Sequence, residues 1–170
     1  MRQTIYFVGF MGSGKSTLTR LLSKRWHVKA VDLDQLIEEK QACTITELFE
    51  TYGEAHFRTL ESKILIDTAT LQNSLIATGG GVVEKESNRL FLKRQKVIYL
   101  KWPFERLYKR IKGDINRPLV ADYETLEARY IKREKWYDEV ATYTINGEEH
   151  TLESVSKMLE ELWLEKEGEV

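Results

Sequence analysis

Two hydrophobic rhythms alternate along this chain. Short apolar runs at Thr4–Val8, Lys29–Leu33, Ser74–Ala77, Lys96–Leu100 and Tyr143–Ile145 are bounded by polar or glycine-containing segments and predict five strands. Between them, helical periodicity predicts helices over Lys15–Trp26, Glu54–Leu71, Phe104–Ile111, Tyr123–Asp138 and Leu152–Lys166. In the last, Leu152, Val155, Met158, Leu159, Leu162 and Trp163 share one face, which predicts packing on the sheet. Strand and helix in alternation predict an α/β fold with a five-stranded parallel sheet flanked by helices. Two stretches depart from the rhythm. The first, Leu36–Tyr52, reads as short helical pieces broken around Gln41–Thr44. The second, Lys112–Asp122, holds Gly113, Asp114, Asn116 and Pro118 without an apolar period and is expected to be a mobile loop.

Composition alters this picture little. A length of 170 residues favours one domain over residues 1–170. With 42% hydrophobic and 31% charged residues and a net charge of -1, the chain has the make-up of an ordinary soluble globular protein. Nothing global points to nucleic acid or a charged membrane surface as a partner. Cys43, the single cysteine, excludes an intrachain disulfide and a zinc site built from several thiolates. The first strand begins with no basic leader or long hydrophobic stretch before it, so a cytoplasmic location is expected. A monomer is expected in the absence of an exposed apolar stripe.

The candidate chemistry begins after the first strand. Gly9-Phe10-Met11-Gly12-Ser13-Gly14-Lys15-Ser16, followed by Thr17, matches the phosphate-binding P-loop pattern in its proper strand–loop–helix context. Glycines let the backbone curl so that several N–H groups point at phosphate oxygens. The following helix adds unpaired N–H groups and the positive end of its dipole. Lys15 is expected to reach the outer phosphates and Ser16 to place its hydroxyl on a magnesium ion. Ser74–Ala77 runs into Thr78-Gly79-Gly80-Gly81, and Val97–Leu100 ends at Lys101, so neither strand ends in the acidic metal-site residue of motor ATPases. An Asn-Lys-x-Asp guanine-reading motif is also lacking. A small kinase remains.

Ala30-Val31-Asp32-Leu33-Asp34 reads as a strand leading into an Asp-x-Asp pair, with both carboxylates expected on one side near its carboxyl end. Ligands of open α/β sheets bind at that end. Asp32 is then a candidate to hold magnesium, directly or through water. Asp34 is a candidate to orient an attacking hydroxyl and take its proton. Asp34 also precedes Gln35–Lys40 and is a candidate helix N-cap, a role compatible with the first.

Further motifs follow in order: Gly53-Glu54-x-x-Phe57-Arg58-x-x-Glu61, Thr78-Gly79-Gly80-Gly81, Arg117-Pro118-Leu119, and Arg133 four residues before Tyr137. With the P-loop and the Asp-x-Asp pair, their order and spacing resemble the shikimate kinase family over nearly the whole chain. The resemblance implies a P-loop kinase fold with a substrate-binding helical segment at about 34–62 and a mobile lid at about 112–122. It implies ATP and shikimate as substrates, Mg2+ as cofactor, and transfer of the γ-phosphate to the 3-hydroxyl. ATP would be held by Gly12, Ser13, Gly14, Lys15, Ser16 and Thr17, with Arg110 at the lid's base and Arg117 closing onto the phosphates. Shikimate would be held by Asp34, Phe57, Arg58, Gly79, Gly80, Gly81 and Arg133, with Phe49 as a further apolar wall. Lys15, Asp34 and Arg117 would be catalytic, and Ser16 and Asp32 would hold the metal.

The chemistry of these residue types agrees. Two arginines can grip a carboxylate with forked hydrogen bonds, and a glycine triplet brings backbone N–H groups close. Glu61, three residues from Arg58 on a predicted helix, is expected either to aim that arginine or to form a solvated surface pair. The family pattern is departed from at Asp114 and Ile115 in the lid and at Gln41 in the bend. Two rival readings stay open at this point: a small P-loop kinase for gluconate or a nucleoside monophosphate, and a catalytically silent nucleotide-binding regulator.

Overall fold

The computed structural model describes residues 4–112 and 122–164, except the side chains of 152 and 162–164. Five parallel strands, β1 (Ile5–Val8), β2 (Lys29–Asp32), β3 (Ser74–Ala77), β4 (Lys96–Lys101) and β5 (Tyr143–Asn146), form one sheet in the order β2-β3-β1-β4-β5. The helices are α1 (Lys15–Trp26), α2 (Leu33–Gln41), α3 (Ile45–Asp67), α4 (Glu86–Leu92), α5 (Phe104–Lys112), α6 (Tyr123–Val140) and α7 (Leu152–Leu164). The central strand, β1, pairs with β3 through Phe7 and Ala77 and with β4 through Phe7 and Ile98. The connection from β1 runs to β2 on one side and that from β3 crosses to β4 on the other, which opens a crevice at the carboxyl ends of β1 and β3 where ligands of such sheets bind.

Side-chain alternation divides the core into two layers. Ile5 and Phe7 of β1 join Leu75, Ile98 and Ile145, and are covered by Leu18 and Leu22 of α1 and Val155 and Leu159 of α7. Tyr6 and Val8 face the other way, into a larger cluster with Ile76, Val97 and Tyr99. Over that face lie Phe57, Ile64 and Leu65 of α3, Leu92 of α4, Leu107 of α5, and Leu126 and Tyr137 of α6. The expected docking of the last helix on the sheet is thus present through Val155 and Leu159.

Three differences from the sequence-based expectations have local causes. The helix expected from Glu54 belongs to a longer α3 that begins at Ile45, with a kink at Gly53 (φ 80°, ψ 169°) in the left-handed range that glycine tolerates. The start of α3 is fixed by a reciprocal capping box: Glu47 N–H donates to Thr44 Oγ1 (3.2 Å), and Thr44 N–H donates to Glu47 Oε2 (2.7 Å). At its other end, α3 stops at Asp67 and a 3₁₀ turn follows at Thr68–Thr70. The break expected around Gln41–Thr44 falls at Ala42, which closes α2 in a left-handed conformation.

Second, β2 ends at Asp32, so Asp34 is not a strand residue. It lies in the first turn of α2, and Asp32 is the N-cap, accepting from the Asp34 N–H at 3.0 Å. The capping role considered for Asp34 belongs to Asp32. Third, α4 and the 3₁₀ turn at Val82–Glu84 have no counterpart among the expected elements. Both are too short to show a helical period, and α4 buries only Asn88 and Leu92.

Leu22 is fully buried between α1 and the sheet. Leu22→Ala is expected to cost about 3 kcal/mol of folding stability through lost transfer energy and an unfilled cavity, read as a lower urea midpoint at unchanged slope.

Candidate active site

The loop from Gly9 to Gly14 joins β1 to α1 and takes positive φ at Gly9 (147°), Gly12 (79°) and Gly14 (91°). At Gly9 the need is also steric, since a Cβ there would lie 2.8 Å from the Leu100 carbonyl oxygen. Lys15 folds over the loop, its Nζ donating to the carbonyls of Gly9 (2.7 Å) and Phe10 (3.0 Å) and to Ser13 Oγ (3.3 Å). The first turn of α1 carries no acidic residue of its own, so its positive end is not offset from within the helix. Gly12, Gly14, Lys15, Ser16 and Thr17 line a cavity of about 470 Å³, which also reaches Asp32, Asp34 and Gly80.

Across this cavity, Ser16 Oγ donates to Asp32 Oδ2 at 2.5 Å. These two oxygens suit a hard cation: Mg2+ commonly takes one or two protein oxygens and completes its shell with water and phosphates. Among the described residues there is no group of three or more His, Cys, Asp or Glu side chains placed to hold a metal ion.

A second cluster is built around Thr78–Gly81, where the chain leaves β3. Thr78 anchors the turn by donating its N–H and hydroxyl to the Phe7 carbonyl, at 3.1 and 2.9 Å. A Cβ on Gly79 would lie 2.6 Å from Glu61 Oε1 and 2.9 Å from Asp34 Oδ1. A Cβ on Gly81 would collide with both terminal nitrogens of Arg58. Glycine at these two positions is what lets α2 and α3 bring a carboxylate pair and a guanidinium against the same stretch of backbone. The Gly80 carbonyl accepts a hydrogen bond from the Tyr137 hydroxyl of α6.

Charge in this cluster is dense and mostly buried. Arg58 Nη1 donates to Glu61 Oε2 at 2.8 Å, and its Nε and Nη2 donate to Glu54 Oε1 at 3.3 and 3.2 Å. Glu61 is 1% exposed, so the solvated surface pair is excluded and the carboxylate holds the arginine from beneath. Arg133 Nε donates to Glu84 Oε1 at 2.8 Å, and its Nη2 lies 2.7 Å from the same oxygen in an ion pair. Burial pushes the Glu61 carboxyl above its ordinary range despite Arg58. Burial also acts upward on Glu84, but Arg133 and Arg58 outweigh it and leave that carboxyl below the ordinary range. Asp34 is pushed up to about 6, first by burial and then by the Asp32 and Glu61 charges, with Lys15 and Arg58 pulling it back. Asp34 Oδ1 and Glu61 Oε1 are both buried and lack a hydrogen-bond partner among the described residues.

The structure thus gathers Lys15, Ser16, Asp32, Asp34, Arg58, Gly79, Gly80, Gly81 and Arg133 around the carboxyl end of β1–β3. Phe57 stacks against Phe49 with centroids 4.8 Å apart, and the Arg58 guanidinium lies 5.2 Å from the Phe57 ring. Arg110 Nη1 reaches the Gly12 carbonyl (3.2 Å), and its guanidinium stacks 3.8 Å over the Trp102 ring. Arg117 and most of the expected lid lie outside the described residues. Sequence reasoning missed Glu54, Glu84 and Trp102, whose indole donates to the Ser13 carbonyl at 3.2 Å. Glu54 stood in a quoted motif without a role, and the other two carry no spacing signal.

The family model described as shikimate kinase matches residues 11–163. The chain belongs to the shikimate kinase family. A shikimate kinase of Lactococcus lactis subsp. lactis is 39% identical over 163 residues, covering 94% of this chain and 98% of that protein. A shikimate kinase of Bacillus anthracis is 36% identical over 94% of this chain and 96% of its own length. Among solved structures, the shikimate kinase of Acinetobacter baumannii in complex with shikimate superposes with a TM-score of 0.88 at 35% identity, covering 99% of this chain and 97% of that one. The shikimate kinase of Aquifex aeolicus gives 0.82 at 35% identity, covering 95% and 96%. The five-stranded parallel sheet flanked by helices is therefore the fold of shikimate kinases, and the gluconate, nucleotide and silent-regulator readings are not favoured.

The raised Asp34 carboxyl makes a stability prediction for this shikimate kinase fold. The folded protein keeps the proton up to about pH 6, whereas the ordinary value is 3.8, so the folded state binds more protons between these values. Stability is lost as pH rises through this window, and the full cost of the buried charge is carried above it. Asp34→Asn removes that cost. The variant is expected to be about 2 kcal/mol more stable than the parent at pH 7.5, with the gap closing below pH 4, as measured by chemical denaturation across pH.

Proposed function

We propose that this chain, as a shikimate kinase, transfers the γ-phosphoryl group of ATP to the 3-hydroxyl of shikimate. The observation that carries the residue assignments is the buried Asp34 carboxylate, facing the P-loop cavity beside Arg58 and the Gly79–Gly81 backbone. A polyhydroxylated carboxylate needs a cation at one end and a proton acceptor at the other. Arg58 and Arg133 supply the first, with the glycine backbone between them. Asp34 Oδ1 supplies the second.

In the proposed reaction, Asp34 accepts the proton of the 3-hydroxyl as its oxygen attacks the γ-phosphorus. The bond from that phosphorus to the β,γ-bridging oxygen breaks, and ADP leaves with the electron pair. Lys15 and the amides at the start of α1 stabilise charge on the transferring group, and the family resemblance implies Arg117 as a further cation in that role. Ser16 and Asp32 would hold Mg2+, which when bound neutralises charge on the β- and γ-phosphate oxygens. Arg110, stacked on Trp102 beside Gly12, flanks the nucleotide, and Phe49 and Phe57 wall the acceptor ring. Positioning and electrostatics supply most of the acceleration, and no covalent phosphoenzyme is required. No helix among the described residues is long and apolar enough to cross a membrane. We further propose a monomer acting in the cytoplasm, in keeping with two small, water-borne substrates.

A coupled ADP-release assay with Mg-ATP tests the reaction across shikimate, gluconate, nucleoside monophosphates and no acceptor. Release with shikimate alone, with a phosphorylated product by mass, is expected; release with another acceptor instead would overturn the assignment. Asp34→Asn is expected to lower kcat by about 10²–10⁴-fold while leaving ATP affinity within a small factor. Near-normal turnover by that variant would remove Asp34 as the base. In the parent, kcat is expected to fall as pH drops below about 6, where Asp34 becomes protonated.

A further inference from the structure

Glu84 is the one carboxylate of the acceptor cluster contributed by neither α2 nor α3. It ends the 3₁₀ turn Val82–Glu84 that directly follows the glycine triplet. Its Oε1 takes both Nε and Nη2 of Arg133, at 2.8 and 2.7 Å, and its Oε2 lies 4.0 Å from Arg58 Nε. Arg133 is nearly fully buried, and this contact engages one whole edge of its guanidinium. The remaining nitrogen, Nη1, is turned to the glycine loop, 3.8 Å from where a Cβ on Gly80 would be.

The turn that carries Glu84 is pinned from behind. The Val82 and Glu84 N–H groups donate to the carbonyls of Gly79 (3.2 Å) and Gly81 (3.0 Å). From α4, buried Asn88 donates to the Val82 carbonyl at 2.9 Å, and Arg89 Nη1 donates to the carbonyls of Val83 (2.8 Å) and Glu84 (3.0 Å). A carboxylate on so constrained a backbone is suited to fixing a guanidinium. It is poorly suited to swinging aside when another anion arrives.

We propose that Glu84 is a positioning residue for the acceptor: it clamps the Nε–Nη2 edge of Arg133 and presents Nη1, beside the Gly80 backbone, to the substrate carboxylate. Glu84 thereby does for Arg133 what Glu61 does for Arg58. The pair of carboxylates also offsets two positive charges, the buried Arg133 and the half-buried Arg58, when no substrate is present. Forked, charge-assisted bonds are about twice as strong as neutral ones and fix direction as well as distance. The inference rests on shikimate being the acceptor.

Glu84→Gln keeps size and loses the charge. It is expected to raise KM for shikimate about tenfold, the loss of one charge-assisted contact, with kcat and KM for ATP within about twofold. If Glu84 acts through Arg133, the same substitution in an Arg133→Lys background is expected to change KM for shikimate less than about twofold further. A fall in KM for shikimate would mean that Glu84 competes with the substrate, and would overturn the proposal. So would an unchanged KM, or an equal loss in both backgrounds. Should Glu84→Gln lack a cooperative melt, Glu84→Asp carries the test. It retains charge but shortens the reach, so a threefold or larger rise in KM for shikimate at unchanged kcat supports the assignment, and no change overturns it. Failure of the parent enzyme to use shikimate at all would instead sink the acceptor reading.

Discussion

Two guanidinium groups, Arg133 buried and Arg58 half-buried, flank the glycine loop after β3, and the arrangement around them follows from keeping them there. A buried cation is tolerated only when paired and hydrogen-bonded. Arg58 has Glu61 beneath it and Glu54 beside it, and Arg133 has Glu84. Placing those carboxylates requires α3, α6 and the turn after β3 to converge on one point. Convergence is possible only because Gly79 and Gly81 present bare backbone where any side chain would strike Glu61, Asp34 or Arg58. The glycine triplet thus serves as a steric condition for the whole charge cluster as well as a source of amides.

Asp34 bears the cost of this arrangement. Its carboxylate is pressed against Gly79, close to Glu61 and Asp32, and its proton is held to about pH 6. That is an unfavourable place for a negative charge in a resting protein and a useful one for a base, since a carboxylate with a raised pKa takes a hydroxyl proton more readily. A carboxyl group kept in such a place gives up folding stability. Here the sacrifice is traceable to three named neighbours: burial by the glycine loop, Glu61 and Asp32.

Much of this was legible in the sequence, for identifiable reasons. The strands announced themselves because parallel strands buried on both faces are unbroken apolar runs, as in Ser74–Ala77. The P-loop was legible because its function is executed by contiguous backbone. Arg58 and Arg133 could be named only through motif resemblance, since they lie 75 residues apart and meet through tertiary packing. Period-two alternation put Asp34 on a strand, and the cap formed by Asp32 overrode it by starting α2 one residue after β2 ends. Glu84 was invisible because it lies in a single 3₁₀ turn with no period, and its partner is 49 residues away. Gly53 signalled a boundary correctly, but the boundary is a kink inside one continuous helix.

The central claim is that this site reads the acceptor by its negative charge, through two arginines held ready for it. The most direct test compares kcat/KM for shikimate with that for its methyl ester, which keeps the ring and all three hydroxyls but not the charge. Charge-assisted hydrogen bonds contribute about 1.5–3 kcal/mol each, so losing two predicts a drop of about 10²–10⁴-fold for the ester. An ester turned over within about threefold of shikimate would contradict the account, because the two arginines would then have no part in choosing the substrate.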